Sequence, residues 1–186
     1  MKKSELYQIF EKINAKSGYN GHLNDVVQLF EVFIETVFWL EVQDSKADKL
    51  GIGLYESEDG AGPFLDAYIT DSNSESPPES LNKSKDNGKI TFRKFNGAEI
   101  LFMRSSIEFN LVVIESKDEF CLITGSMFVA YINYLMKPEN SDKNDKIKAI
   151  LNNSTLLNNG WSATQIITAS SGILVMLILL VSILAF

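Results

Sequence analysis

The residue types that most often carry out chemistry in proteins are scarce in this chain. It contains one histidine, His22, and one cysteine, Cys121. The usual zinc sites need several converging ligands, which this pair alone does not supply. A nucleophilic cysteine and histidine pair stays formally open, but Cys121 lies in EFCLIT between apolar neighbours, and a reactive thiolate requires an exposed, electropositive setting. We therefore expect Cys121 to be a small buried hydrophobic residue.

A stretch rich in glycine and acids, GIGLYESEDGAG, is the next candidate for chemistry. Its glycines lack the spacing of the common phosphate-binding loops, and no Lys-Ser or Lys-Thr pair follows them. Glu56, Glu58 and Asp59 would repel phosphate; they could hold a hard cation loosely or form an unusual carboxylate site, but the 12-residue calcium pattern is absent. A solvated acidic hairpin is the better interpretation. The sequence predicts no enzyme activity, no metal and no cofactor.

The elements that position these residues begin with two helices. In SELYQIFEKINAKSG the apolar residues recur at helical spacing, and Gly18 follows as a stop. Asn24 can cap a second helix, DVVQLFEVFIE, which has one broad apolar face. VFWLEV then changes to a β-branched and aromatic run, which predicts a strand from about Val37 to Val42.

The remaining elements are mostly strands. LGIGLYES, FLDAYIT and KITFRKF predict three strands, with a surface loop from Asp71 to Gly88 before the last of them. NGAEILFMRSS predicts a short helix, NLVVIESKDEFCLIT a strand pair, and SMFVAYINYLMK a helix capped by Ser126. The fold class is therefore α+β, with a mixed sheet of about six strands and three to four helices, followed by one C-terminal transmembrane helix.

Charge divides the chain into two parts. Its 186 residues carry a formal net charge of −7, and every charged residue lies between Lys2 and Lys148. Binding to nucleic acid is dominated by Lys and Arg contacts to phosphates, so this acidic composition argues against a nucleic-acid partner. An acidic domain instead favours a protein partner with a basic surface.

The uncharged end predicts a membrane anchor. The 21 residues from Ile166 to Phe186 would form roughly 31 Å of helix, enough for a hydrocarbon core of about 30 Å. Trp161 would lie at the headgroup level. The residues expected to form the anchor are Trp161, Ile166, Gly172, Leu177, Leu180 and Phe186. Two alternatives are a buried core helix and an oligomerising segment, because Thr168 and Gly172 have the spacing that lets helices approach closely.

The predicted organisation follows from this anchor. Residues 1–137 form a soluble α+β domain, residues 138–162 an acidic and Asn-rich linker with a juxtamembrane segment, and residues 163–186 a tail anchor. The start, MKKSELYQIFEKINAKSG, lacks the apolar run of a secretory signal. Lys143, Lys146 and Lys148 are the nearest basic residues to the anchor, so the domain is expected to face the cytoplasm in a single-pass topology.

The layout of the central part resembles SseB-type domains. This resemblance rests on the order of patterns from Leu23 to Leu135, through VFWLEV, GPFLDAYITDS and GAEILFMRSSIEFNLVVIESKDEFCLITGSMFVAYI. SseB-type domains are small α+β modules from bacteria, and the resemblance implies roles in protein interaction or secretion rather than catalysis. It assigns no functional residues.

The sequence thus predicts a membrane-tethered, non-enzymatic adaptor, regulator or assembly subunit that binds a protein partner through its cytosolic domain. Candidate residues for the partner surface are Phe38, Trp39, Glu56, Glu58 and Asp59. The alternative is a small membrane-active protein of a toxin or immunity system, in which the C-terminal helix acts by forming homo-oligomers or binding another transmembrane helix.

Overall fold

The computed structural model describes residues 3–17, 22–44, 50–56, 62–69, 90–105, 107–116 and 119–154. Over these ranges the chain has the predicted α+β class. Its strands are β1 (Val37–Asp44), β2 (Leu50–Ile52), β3 (Tyr55–Glu56), β4 (Pro63–Ile69), β5 (Ile90–Asn96), β6 (Asn110–Ser116) and β7 (Glu119–Ile123). Its helices are α1 (Glu5–Ser17), α2 (Leu23–Phe33), α3 (Gly97–Arg104), α4 (Gly125–Leu135) and α5 (Ser141–Asn152), with a 3₁₀ turn at Pro138–Asn140.

The sheet is built around β1. Along one side, β1 pairs antiparallel with β5, from Val37 opposite Asn96 to Gln43 opposite Ile90. Its other side is shared, because the first half pairs with β4 and the second half with β2. The two-residue strand β3 pairs with the start of β4. The predicted strand LGIGLYES is thus two short strands, β2 and β3, which run in opposite directions because they pair antiparallel with two strands that are themselves antiparallel.

One parallel pair makes the sheet mixed. β4 and β6 run parallel, from Phe64 opposite Asn110 to Tyr68 opposite Ile114, and β7 then pairs antiparallel with β6 at the end of the sheet. The parallel pair requires a long crossover, and the chain supplies it through β5 and α3. Mixed pairing of this kind agrees with the prediction.

The core lies on one face of the sheet. Phe38 and Leu40 of β1 and Leu111 of β6 pack there against residues from all five helices. Aromatic rings dominate the centre: the Phe30 ring contacts the Phe128 ring edge-on with centroids 5.1 Å apart, and stacks on Tyr131 at 4.6 Å. Such ring pairs add to the stabilisation from burial itself.

The turn from β5 into α3 shows how local sequence fixes this packing. Asn96 accepts a hydrogen bond from the Glu99 backbone N–H at 2.8 Å, and the Glu99 carboxylate accepts one from the Asn96 backbone N–H at 2.7 Å. This capping box satisfies donors that the first turn of a helix leaves without partners. Gly97 follows at once, with its backbone N–H bonded to the Thr36 carbonyl, which holds α3 against the end of α2.

Helix α5 was not predicted, so the expected count of three to four helices is too low. It lies within the segment 138–162 that the sequence indicated as a linker, and its Ile147 reaches the core. Lys143 pairs with Glu31 of α2, and Lys146 pairs with Glu35 at 2.6 Å. Two other starts differ slightly: α2 begins at Leu23, before Asn24, and α4 begins at Gly125 with Thr124 rather than Ser126 at its cap position.

The predicted membrane anchor lies outside the described residues, which end at Ser154. Within the described ranges, no helix combines the length and the apolar character needed to cross a bilayer. The anchor, the topology and the domain boundaries after residue 137 therefore stay predictions.

Candidate interaction surface

The side of the sheet opposite the core forms a separate surface. Successive side chains of a strand point to opposite faces, so Trp39 and Glu41 of β1 lie opposite the buried Phe38 and Leu40. Pairing extends this side across the sheet, because Tyr68 and Lys94 are opposite Trp39 and Phe92 is opposite Glu41. We call this side the open face; its central residues are Trp39, Glu41, Asp66, Tyr68, Phe92, Ile114 and Phe120.

No helix of the described part covers the open face. Each of the five helices contributes to the core on the other side, for example through Leu6, Phe30, Ile100, Phe128 and Ile147. The open-face side chains do not belong to that core. The described part of the molecule therefore consists of a sheet with helices on one side only.

Aromatic side chains form the middle of the open face. The rings of Tyr68 and Phe92 meet edge to face with centroids 6.1 Å apart. Lys94 places its ammonium group 5.1 Å from the Trp39 ring centroid, which is within the range of a cation–π contact. Trp39 is only 7% exposed, although it does not belong to the core cluster on the other face. The result is a preformed aromatic surface held by cross-strand pairs.

Next to the aromatic residues lies a pair of carboxylates. The pairing of β1 with β4 ends at Leu40 opposite Ala67, and one further step along each strand leads to Glu41 and Asp66. The Tyr55 hydroxyl donates a hydrogen bond to Glu41 Oε2 at 2.5 Å. No Lys or Arg of the described residues forms an ion pair with Glu41 or Asp66. We call Glu41, Asp66 and Tyr55 the acidic notch.

The electrostatics of the notch reflect this arrangement. Burial, followed by the charge of Glu41, raises the pKa of the Asp66 carboxyl. Burial also raises the pKa of the Tyr55 hydroxyl, with the hydrogen bond to Glu41 as the next cause. The Tyr68 hydroxyl has a raised pKa through burial and the charges of Asp66 and Glu41. All three shifts have the direction that negative charge in a partly desolvated site produces.

At the β7 end, the open face becomes strongly apolar. Phe120 is 60% exposed and lies opposite Ile114 in the β6–β7 pair. An aromatic side chain of this exposure leaves a large apolar area in water. The open face thus runs from an acidic and aromatic centre to an apolar end.

The predicted partner-surface residues have different positions. Phe38 is fully buried and its ring centroid lies 5.2 Å from that of Phe33, so Phe38 belongs to the core and its side chain is closed to a partner. Trp39 lies on the open face but is only 7% exposed, so little of its ring is accessible to a partner. Glu56 is exposed on β3. Glu58 and Asp59 lie outside the described residues, as do the anchor residues Trp161, Ile166, Gly172, Leu177, Leu180 and Phe186.

The residues first considered for chemistry are also separate from the open face. Cys121 is buried among core residues, as predicted, and burial raises the pKa of its thiol to about 12. His22 is exposed immediately before α2. In the part of the chain that the structure describes, no three His, Cys, Asp or Glu residues converge as metal ligands would.

The residues of the acidic notch were missed in the sequence. Glu41 and Asp66 each interrupt an apolar strand, in VFWLEV and PFLDAYI. A carboxylate in the middle of such a strand indicates the side that is not core, and the two together could have identified this face. Their proximity follows from the β1–β4 pairing, which the sequence does not specify.

Comparison with known proteins finds no family model, no curated protein and no solved structure that matches this chain. The resemblance to SseB-type domains consequently stays a prediction.

Proposed function

We propose that this protein is a membrane-tethered, non-enzymatic adaptor, regulator or assembly subunit that binds a protein partner through its open face. The observation that carries the proposal is the one-sided sheet: all five described helices cover one face, while the other carries the partly exposed Tyr68 and Phe92 and the exposed Phe120.

The composition of the open face supports a protein partner. Trp, Tyr and Phe are enriched at protein interfaces because they bury much area with few rotatable bonds. Phe120 is an exposed aromatic residue of this kind. Tyr55 and Tyr68 add hydroxyl groups beside apolar surface, which suits a face that changes between hydrated and bound states.

The proposed tether rests on the uncharged, 21-residue apolar run from Ile166 to Phe186, which has the length of one membrane crossing. The nearest basic residues, Lys143, Lys146 and Lys148, favour a domain on the cytoplasmic side.

The tether is tested by fractionation. The full chain and a chain stopped at Gly160 are expressed in parallel, and the membranes are extracted with carbonate. We expect the full chain to resist extraction and the shorter chain to be soluble with an unchanged melting temperature. A full chain that carbonate releases, or a shorter chain that no longer folds, would show that the tail belongs to the protein core or to an assembly.

The partner surface is tested with a matched pair of variants. Phe120→Ser removes an exposed ring from the open face, and Val129→Ser removes an exposed side chain from α4 on the helix side. Because both residues are exposed, neither change should unfold the domain. Proteins that co-purify from membranes with the wild type and with Val129→Ser should be lost with Phe120→Ser. Equal recovery with both variants would contradict the role of the open face.

A helix-swap experiment separates this proposal from a membrane-active protein of the toxin or immunity type. Residues 166–186 are replaced by an unrelated membrane anchor of equal length. An adaptor retains its membrane partner after this change, because the new anchor supplies the same tether. If the swap instead abolishes both a membrane-active function of the full chain and its detergent-resistant oligomers, that function belongs to the C-terminal helix. In that helix, Thr168 and Gly172 have the spacing that lets two helices pack closely.

A further inference from the structure

We infer that the segment bound by the open face is a protein segment that places a Lys or Arg in the acidic notch, between Glu41 and Asp66, and lays apolar side chains on Tyr68 and Phe120. This inference rests on the proposed function and specifies the chemistry of the partner.

The position of the notch favours a single cation. Glu41 and Asp66 lie on neighbouring strands on the same side of the sheet, where the β1–β4 pairing ends and β2 and β3 enter between the strands. Gly53 lies there as well: its backbone N–H is bonded to the Glu41 carbonyl, and a Cβ at Gly53 would come within 3.2 Å of Glu41 Oε1. A side chain at this position would crowd the Glu41 carboxylate.

The charges of the notch are not compensated within the described residues. Tyr55 supplies one hydrogen bond to Glu41, but no described Lys or Arg forms an ion pair with either carboxylate. Two adjacent, partly desolvated carboxylates repel each other, and a cation between them would offset the repulsion and compensate part of the cost of desolvation through its attraction to both. The raised pKa of Asp66 is consistent with this repulsion.

The aromatic surroundings suit the side chain of Lys or Arg in particular. Their aliphatic stems pack on apolar surface while the charged group reaches outward, and both cations are attracted to aromatic ring faces. Tyr55 is part of the notch and Tyr68 lies beside it, and Trp39 already holds Lys94 in this manner. A small metal ion would gain nothing from these rings, and Ca²⁺ takes six to eight oxygen ligands.

A segment of the chain itself is a competing occupant. Residues 70–89 join β4 to β5, which lie on opposite sides of β1, and include Lys83, Lys85 and Lys89. Their only large apolar side chain is Leu81, which is too little to cover the aromatic centre and Phe120 together. This composition favours a separate partner, and the experiment tests the competing segment directly.

The test uses the purified full-length chain and a phage-displayed library of random twelve-residue peptides. We expect the wild type to select peptides in which a Lys or Arg is flanked by apolar residues. A selected peptide should bind the Glu41→Gln, Asp66→Asn double variant about tenfold more weakly or worse. The matched control, Glu139→Gln with Asp142→Asn, removes two exposed charges on the helix side and should bind within about twofold of the wild type.

Three results would overturn the inference. The first is selection of peptides without a basic residue, and the second is equal binding to the double variant and its control. The third is peptide binding that requires replacement of residues 71–88 by a Gly-Ser linker, which would make that segment the occupant. Peptides without a basic residue whose binding is lost with Phe120→Ser would refute this inference alone. A membrane partner that survives Phe120→Ser would refute the proposed function.

Discussion

The Tyr55 hydroxyl on β3 donates a hydrogen bond to Glu41 on β1, with 2.5 Å between the oxygen atoms. It joins the short strand segment to the centre of the sheet at the acidic notch. Tyr55→Phe removes the donor while keeping the ring, and we expect a loss of about 0.5 to 1.5 kcal/mol in the free energy of unfolding, measured by urea denaturation.

Tyr131→Phe is the matched control for that change. The Tyr131 hydroxyl is buried and has no hydrogen-bond partner among the described residues. Its removal therefore breaks no hydrogen bond and eliminates the free-energy cost of burying an unbonded hydroxyl. We expect this variant to be as stable as the wild type or more stable. If Tyr55→Phe were neutral and Tyr131→Phe destabilising, the assignment of the two hydroxyl groups would be wrong.

Asp66→Asn should stabilise the protein at neutral pH. Burial and the charge of Glu41 raise the pKa of Asp66 from its ordinary value of 3.8, so between the two values the folded state holds a proton that the unfolded state has lost. Stability therefore falls as the pH rises through this range, and the cost is fully present above the raised pKa. Among the described residues, Glu41, Tyr55 and Tyr68 are the titratable groups whose charges interact with Asp66.

Melting temperatures of the wild type and Asp66→Asn, recorded from pH 3 to pH 8, test the predicted direction in which stability changes with pH. The variant should have the advantage at pH 7 and lose it as the pH falls below the ordinary Asp pKa. Asp145→Asn, an exposed change on α5, should give no gain at pH 7. An advantage of Asp66→Asn that grows toward low pH would contradict the burial of its charge.

Gly97→Ala should be strongly destabilising. A Cβ at this position would lie 1.8 Å from the Phe33 carbonyl oxygen, so either α3 or the end of α2 must shift. We expect a loss of about 3 kcal/mol or more in the free energy of unfolding, measured by chemical denaturation.

Gly125→Ala provides the comparison, because Gly125 also opens a helix. There the nearest atom to an added Cβ is the Arg104 Nη2, at 2.8 Å, and the end of a flexible side chain can move away. Its cost should stay below about 1 kcal/mol. Equal losses at the two positions would show that α2 and α3 are not in backbone contact.

Cys121 should be unreactive in the folded protein. It is 1% exposed, and burial raises the pKa of its thiol to about 12, so at pH 8 almost no thiolate is available. Labelling with a thiol-specific disulfide reagent should be at least about a hundredfold slower than in guanidinium chloride. Complete labelling of the folded protein within minutes would place Cys121 at the surface.

The sequence was most informative where burial is periodic within one element. In α1, Leu6, Ile9, Phe10 and Ile13 were expected to form one face, and all four are buried. Helix α5 was missed because SDKNDKIKAILN is polar over most of its length. Its position depends on contacts that are distant in sequence, namely the packing of Ile147 in the core and the ion pairs with Glu31 and Glu35.

Which face of the sheet is covered could not be predicted from strand patterns. Phe38 and Trp39 are adjacent aromatic residues that are equally suited to the core. The alternation of side chains along a strand shows only that they point to opposite faces of the sheet. The helices pack on the side of Phe38, and this depends on long-range contacts such as that of Gly97 with the end of α2. The open face and its acidic notch lie on the side of the sheet that these helices leave uncovered.

Helix α5 ends at Asn152 on the side of the sheet that carries the helices. Only residues 155–165 separate the described part from the proposed anchor, and these eleven residues span at most roughly 36 to 40 Å. A partner in the same bilayer would therefore be confined with the open face to a thin layer, where its local concentration is higher than in free solution. Contacts that are weak between free molecules are sufficient at that concentration, so dissociation constants measured on a detached domain would understate occupancy at the membrane.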